Sequence, residues 1–333
     1  MNVTVLSDGS WGTALALTLL DNGHKVTMWG PFPDYLSTMR ETRENSRFLK
    51  GVKLPESLII EENMEKAVEN SEVILLATPT QFARSVMEQF KKFHNPEKHL
   101  IIDVAKGIEK NSWLRLSEIA EETIGKCHYV ALSGPSHAEE VSRKVPTLVV
   151  AASENIKDAE MVRDLFMNNY FRVYTSNDIL SVELGGALKN VMAIAAGIID
   201  GMQLGDNPKA ALITRGIAEM SRLGEALGGN AATFSGLSGI GDLIVTCCSG
   251  HSRNRHVGEE LGRGKKLSQI QEEMGLVVAE GVPTAIGAKY LADKMGIDTP
   301  IIHQIYDILY NDKSPETAIN ELMNRSAKQE LEK

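Results

Sequence analysis

Val3-Thr4-Val5-Leu6-Ser7-Asp8-Gly9-Ser10-Trp11-Gly12-Thr13-Ala14 decides how the first half of the chain is read. A short β-branched run over residues 3–6 meets a turn of small residues and then a helical pattern over 11–22. Glycines between a strand and a helix let backbone N–H groups approach a pyrophosphate at the helix N-terminus, so the segment points to dinucleotide binding. Gly9 and Gly12 stand at the second and third glycine positions of that turn, while Ser7 takes the first. Asp8 brings a carboxylate beside the expected pyrophosphate. Ser7 is expected to fit only with local adjustment, and the Asp8 carboxylate either points away from the pyrophosphate or repels it; in the second case Ser7→Gly with Asp8→Ala would tighten cofactor binding.

Outward from this turn, strands are predicted at residues 26–29, 73–77, 100–104, 129–132 and 148–151, with helices at 64–70, 81–92 and 113–124. Strand and helix alternate, which implies βαβ units in a Rossmann-like, doubly wound, mostly parallel sheet. The pattern changes near Asp178. Residues 182–201 are dominated by Ala, Gly, Ile, Val and Leu, and helices follow at 208–227, 255–263, 267–274, 282–295, 301–310 and 315–324. The fold class is therefore α/β: a dinucleotide-binding domain over 1–178, then an all-helical substrate-binding and catalytic domain over 179–333. The first of these helices, apolar on nearly all sides, belongs in a core. The tail 326–333 is expected to fray.

Composition narrows the function classes. In 333 residues there are 35 basic and 44 acidic side chains, a formal charge of −9, which disfavours nonspecific binding to nucleic acid or anionic membrane. With 43% hydrophobic and 24% charged residues the chain is not disordered. Cys127, Cys247 and Cys248 form neither a disulfide framework nor a C-x-x-C site, and Cys247-Cys248 is read as packing. His251 has no second ligand at metal spacing, so no metal is expected. Met1-Asn2-Val3-Thr4 lacks a basic leader. The apolar stretch 191–199, between Lys189 and Asp200, falls short of the roughly 20 residues of a spanning helix. We expect a cytoplasmic protein without membrane insertion or nucleic-acid partner, and a homodimer.

Lys189 is the most informative single residue. It sits in Leu184-Gly185-Gly186-Ala187-Leu188-Lys189-Asn190-Val191, where desolvation would lower the ammonium pKa toward proton transfer at neutral pH. The alternative is a buried stem whose head reaches the surface. A second cluster, Ser235-Gly236-Leu237-Ser238-Gly239-Ile240-Gly241-Asp242 with Ser249-Gly250-His251-Ser252-Arg253-Asn254-Arg255, reads as an anion-binding loop or as a plain connection. Lys106-Gly107 and Ser133-Gly134-Pro135-Ser136-His137-Ala138 follow strands, at the carboxyl edge where open α/β sheets bind ligands. Together these sites suggest a cleft between domains. The second strand ends Trp29-Gly30-Pro31-Phe32, without the acid that binds a ribose 2′-hydroxyl or a cation for a 2′-phosphate. Arg40, Arg43 and Arg47 read as solvated charges. NADH and NADPH are both expected to be used, within about two decades in kcat/KM.

Over nearly its whole length the chain resembles the bacterial-type NAD(P)-dependent glycerol-3-phosphate dehydrogenases. The motifs are Gly9-Ser10-Trp11-Gly12-Thr13-Ala14-Leu15-Ala16, Lys106-Gly107, Ser133-Gly134-Pro135-Ser136, Glu183-Leu184 with Leu188-Lys189-Asn190, and Ala211-Leu212-Ile213-Thr214-Arg215-Gly216. They continue with Gly241-Asp242-Leu243, Ser252-Arg253-Asn254 and Glu280-Gly281. The resemblance implies reversible reduction of dihydroxyacetone phosphate to sn-glycerol 3-phosphate with NAD or NADP, supplying phospholipid synthesis. It implies cofactor contacts from Ser10, Trp11, Ala138, Val278 and Glu280, with Lys106 and Arg253 touching both ligands. Lys106, Gly134, Ser136, Lys189, Asp242, Ser252, Arg253 and Asn254 would surround the substrate, and Lys189 would be the proton donor and acceptor. Ser7, Asp8 and Pro31 depart from the family pattern, Pro31 standing where His or Arg is usual. Two other readings compete: another two-domain hydroxy-acid dehydrogenase, and a cofactor-binding sensor without turnover.

Overall fold

The computed structural model describes residues 1–327, 329 and 330; of the tail expected to fray, residues 328 and 331–333 lie outside the described residues. The first half is an eight-stranded sheet of β1 (Asn2–Leu6), β2 (Lys25–Trp29), β3 (Ile59–Glu61), β4 (Val73–Leu76), β5 (Leu100–Asp103), β6 (His128–Ser133), β7 (Thr147–Ala152) and β8 (Phe171–Ser176). Their spatial order is β3-β2-β1-β4-β5-β6-β7-β8. Every pairing is parallel except β6 with β7, where Leu132 faces Ala151. Order reverses between β1 and β4, so a crevice opens at their carboxyl ends, the position where such sheets bind ligands. The inner strands are buried along their length, which is why they read as continuous apolar runs.

Two strands lie outside the sequence reading. β3 is three residues long at the sheet edge. β8, the other edge, buries Phe171 and Val173 but exposes Arg172 and Tyr174, an alternation that its polar residues hide. The helices Pro33–Thr42 and Ile156–Phe166 are likewise additional. The helix expected from residue 113 begins at Leu116, because Trp113 takes a left-handed backbone (φ 64°) and stacks on Tyr290, ring centroids 4.9 Å apart.

The second half is built on the helix Ile179–Gly201, begun by Asp178, whose side chain accepts from the Ser181 N–H (3.1 Å). Its 23 residues are long and apolar enough to cross a membrane, unlike the stretch 191–199 taken alone, but its most apolar window is 94% buried inside the protein. Helices Asp206–Ala226, Asp242–Cys248, Arg253–Gly262, Gly281–Met295 and Pro300–Tyr310 pack around it. The closest crossing is with Arg253–Gly262. A Cβ on Gly197 would stand 1.9 Å from the Arg255 carbonyl oxygen, and one on Gly258 would stand 1.9 Å from that of Ile194. Gly201 and Gly262 repeat the approach one turn on. Side chains are excluded there, so the two backbones fix each other's height and rotation.

Candidate active site

Because the helix Ile179–Gly201 is enclosed, Lys189 and Asn190 cannot reach the surface; they are 6% and 4% exposed. Lys189 Nζ donates to Asp242 Oδ1 and to Thr246 Oγ1, each at 2.7 Å. Burial lowers the Lys189 pKa to about 8, with the Lys106 charge acting in the same sense and Asp242 opposing. Burial would raise the Asp242 carboxyl, but the two ammonium groups hold it below its ordinary value. Lys106 Nζ donates to Asp242 Oδ2 (2.7 Å), the Gly134 carbonyl oxygen (2.8 Å) and Ser136 Oγ (3.3 Å). One carboxylate therefore joins a lysine after β5 to a lysine of the helical half. A lysine head snorkelling to the surface is ruled out.

Around this centre the two halves are tied by polar contacts. Asn190 Nδ2 donates to the Lys106 carbonyl oxygen (2.8 Å), and Asn254 Nδ2 donates to Asn190 Oδ1 (2.9 Å) while its Oδ1 accepts from the Gly281 N–H (2.8 Å). Arg253 Nη2 donates to Ser10 Oγ (2.9 Å), and its Nη1 lies 3.5 Å from the Val278 carbonyl oxygen. Burial lowers the Arg253 pKa. Ser252 Oγ accepts from the Arg255 N–H (3.2 Å) and starts the helix Arg253–Gly262. Glu280 accepts from the Thr80 N–H (2.8 Å), and burial raises its carboxyl pKa to about 7. Ala138, 7% exposed, opens the short helix Ala138–Val141.

The turn after β1 fits a dinucleotide. Gly9 precedes the helix Ser10–Asp21 without a side-chain cap, leaving its first N–H groups free for an anion. Trp11 Nε1 is buried without a partner, as are Ser133 Oγ and His137 Nε2 further along the cleft. Gly12 is needed for close packing: a Cβ there would lie 3.2 Å from Val5, Ser7 and Ala77 side chains.

One expectation is corrected and two open alternatives are decided. Ser7 is not strained: its backbone has no positive φ, and its Oγ accepts from the Gly9 N–H at 3.0 Å. Asp8 does not face the pyrophosphate position; its carboxyl packs over Gly30, at the end of β2. The glycine-rich segment 235–242 is not an open anion loop. Ser238 is buried with its carbonyl against Gly185, Gly239 presses on the Phe234 backbone, and only Asp242 reaches the lysines. Cys247 is buried as packing, whereas Cys248 is exposed.

One residue escaped sequence reasoning, and another, His137, entered it only as part of the segment 133–138. Thr246 lies one turn after Asp242 on the helix Asp242–Cys248, an i,i+4 spacing that would have signalled it. His137 lies in the same cleft, its Nε2 buried without a partner, and burial with the Lys189 and Lys106 charges lowers its pKa. Arg40 and Arg43 do pair at the surface, with Glu62 and Glu56. Arg47 instead lies 4.0 Å over the Tyr35 ring. Among the described residues no three His, Cys, Asp or Glu side chains are placed to hold a metal ion.

Comparison with known proteins agrees with this arrangement. Residues 2–159 match the N-terminal model of NAD-dependent glycerol-3-phosphate dehydrogenase, and residues 178–320 match its C-terminal model. A glycerol-3-phosphate dehydrogenase [NAD(P)+] of Bacillus mycoides is 49% identical over 99% of this chain and 97% of its own length. The crystal structure of the Coxiella burnetii glycerol-3-phosphate dehydrogenase superposes with a TM-score of 0.93 at 36% identity, covering 97% of this chain and 99% of that one. The Saccharomyces cerevisiae enzyme superposes at 0.81 with 26% identity, over 96% and 98%. D-mandelate dehydrogenase, at 12% identity and 0.65, shares the fold alone. With both halves matched in order, and the lysine pair at the seam between them, the chain belongs to the NAD-dependent glycerol-3-phosphate dehydrogenase family.

Proposed function

We propose that this chain reversibly reduces dihydroxyacetone phosphate to sn-glycerol 3-phosphate, with NAD(P)H as coenzyme and Lys189 as proton donor and acceptor. One observation carries the assignment of Lys189. An ammonium has three N–H donors. Those of Lys106 are spent on Gly134, Ser136 and Asp242, whereas Lys189 gives two to Asp242 and Thr246 and keeps one. Lys189 is the lysine with a proton to offer.

A nicotinamide coenzyme held at the turn after β1 would supply the hydride for the C2 carbonyl. As charge develops on that oxygen, Lys189 donates its free proton, and Asp242 holds the ammonium in place from behind. With a pKa of about 8 the same nitrogen can take the proton back when glycerol 3-phosphate is oxidised. Lys106, held by Gly134, Ser136 and Asp242, lies on the other side of the same carboxylate. Arg253, at the start of the helix Arg253–Gly262, and the cap at Ser252 supply the cationic end for the phosphate. Asn190 and Asn254 position the lysines rather than transfer protons.

Residues 1–178 serve the coenzyme in this reading, and 179–333 the substrate and the chemistry, in a cytoplasmic homodimer that feeds phospholipid synthesis. Following NADH and NADPH oxidation with dihydroxyacetone phosphate tests it, beside unphosphorylated dihydroxyacetone and a panel of 2-keto acids. Turnover with a keto acid instead would favour the hydroxy-acid dehydrogenase reading. Coenzyme binding without any turnover would favour the sensor.

A further inference from the structure

In dinucleotide-binding folds the carboxyl end of the second strand carries the acid that accepts from the ribose 2′-hydroxyl. β2 ends here at Trp29-Gly30-Pro31, which has no such side chain. The structure explains why. A Cβ on Gly30 would stand 2.7 Å from Asp8 Cγ and 2.9 Å from Asp8 Oδ2, so the space above the end of β2 is already filled, from the end of β1, by a carboxyl group. Asp8 is 5% exposed, and its Oδ2 has no hydrogen-bond partner. A buried carboxylate oxygen without a donor is costly unless a ligand supplies one.

The residue is held there from its own backbone. Asn45 Nδ2 donates to the Asp8 carbonyl oxygen and to Thr13 Oγ1, both at 2.8 Å, and Asn45 Oδ1 accepts from the Tyr35 hydroxyl (2.7 Å). The Tyr35 hydroxyl in turn accepts from the Arg47 N–H (2.8 Å), and the Arg47 guanidinium stacks on the Tyr35 ring. No carboxylate among the described residues forms an ion pair with Arg47, unlike Arg40 and Arg43.

We infer that Asp8 is the coenzyme-selecting residue: its carboxylate accepts from the adenosine ribose 2′-hydroxyl in place of an acid on β2, and it excludes a 2′-phosphate. NAD(H) is then the preferred coenzyme, in place of the near-even use of NADH and NADPH expected from the end of β2 alone. Arg47 balances the Asp8 charge from the stacked position, and becomes a phosphate ligand only when that charge is removed. This rests on the dehydrogenase reading above and adds the choice of coenzyme to it.

The test is direct binding of NADH, NADPH, ADP-ribose and 2′-phospho-ADP-ribose by calorimetry, without substrate. Wild type should bind NADH and ADP-ribose about tenfold or more tighter than their 2′-phosphorylated counterparts, one charge contact's worth. Asp8→Asn keeps the volume over Gly30 and removes the charge, and should reduce that preference at least about tenfold. Asp8→Ala should do the same, and adding Arg47→Met should abolish the gain in affinity for the phosphorylated ligands. A wild type that prefers NADPH, or a preference unchanged in Asp8→Asn, overturns the inference while leaving the dehydrogenase assignment intact. Failure of wild type to bind any of the four ligands overturns both.

Discussion

Lys189 Nζ and Asp242 Oδ1 lie 2.7 Å apart, both buried, on helices that pack across the centre of the helical half. The carboxylate alone would hold the lysine protonated well into alkaline pH; burial and Lys106 bring its pKa to about 8. Ketone reduction needs the ammonium, so kcat/KM for dihydroxyacetone phosphate should fall as pH rises through about 8. Alcohol oxidation needs the free amine, and its kcat/KM should rise through the same pH. In Asp242→Asn the raising influence is lost, so both limbs should move to lower pH. Profiles in both directions check this; limbs that stay in place in the variant would detach Asp242 from the lysine's titration.

Removing the lysine isolates the chemical step. Lys189→Ala should lower kcat by roughly 10²–10⁴, the range for a positioned acid–base group, with NADH affinity unchanged because the coenzyme turn is on the other half of the chain. Steady-state kinetics with a fluorescence titration of NADH separates the two. A variant keeping more than about half of kcat would remove Lys189 from the mechanism.

These two residues also mark how far the sequence could be read. The sheet was legible because its inner strands are apolar on both faces, and the helix Ile179–Gly201 because it is apolar all round. Lys189 stood out by contrast with that helix. β3 and β8 were hidden as edge strands, short in one case and polar in the other. The direction of Asp8 was not legible either. Whether a side chain in a turn faces a pyrophosphate or the neighbouring strand depends on a through-space contact with Gly30, 22 positions away in the chain. For the same reason the glycines at 236, 239 and 241 looked like an anion loop: the sequence cannot distinguish a backbone that approaches a ligand from one that approaches Phe234 and Gly185.

Arg253 spans the cleft, its guanidinium on Ser10 of the coenzyme turn. Arg253→Ala should cost about 1.5–3 kcal/mol of transition-state binding for a charge-assisted contact, and narrow the preference for phosphorylated over unphosphorylated dihydroxyacetone. Arg253→Lys should recover only part of it, since one ammonium cannot replace a planar fork. Comparison of kcat/KM for the two substrates measures this. An unchanged ratio in Arg253→Ala would mean that the arginine serves the coenzyme alone.

The placement of Arg253 and Asn254 against Lys189 and Asn190 depends on how closely two helices cross. A Cβ on Gly258 would stand 1.9 Å from the Ile194 carbonyl oxygen and 2.9 Å from the Ile198 nitrogen, and no rotamer change relieves a clash with backbone. In Gly258→Ala the helix Arg253–Gly262 must move outward. Overpacking of this kind costs about 1–3 kcal/mol, so Tm should fall. The same movement pulls Asn254 from Asn190, now 2.9 Å away, and shifts the phosphate end of the site relative to the proton donor. A displacement of about 1 Å can cost on the order of 10²-fold in rate, so kcat should fall even at temperatures where the variant is fully folded. Gly250→Ala is the control: a Cβ there meets nothing within 4 Å although the residue precedes Ser252 by only two positions, and it should leave Tm and kcat near wild type. Thermal unfolding beside kinetics well below Tm distinguishes the two effects. If Gly258→Ala lost stability but kept kcat, the glycine crossing would serve packing alone and the site would be held by its polar contacts.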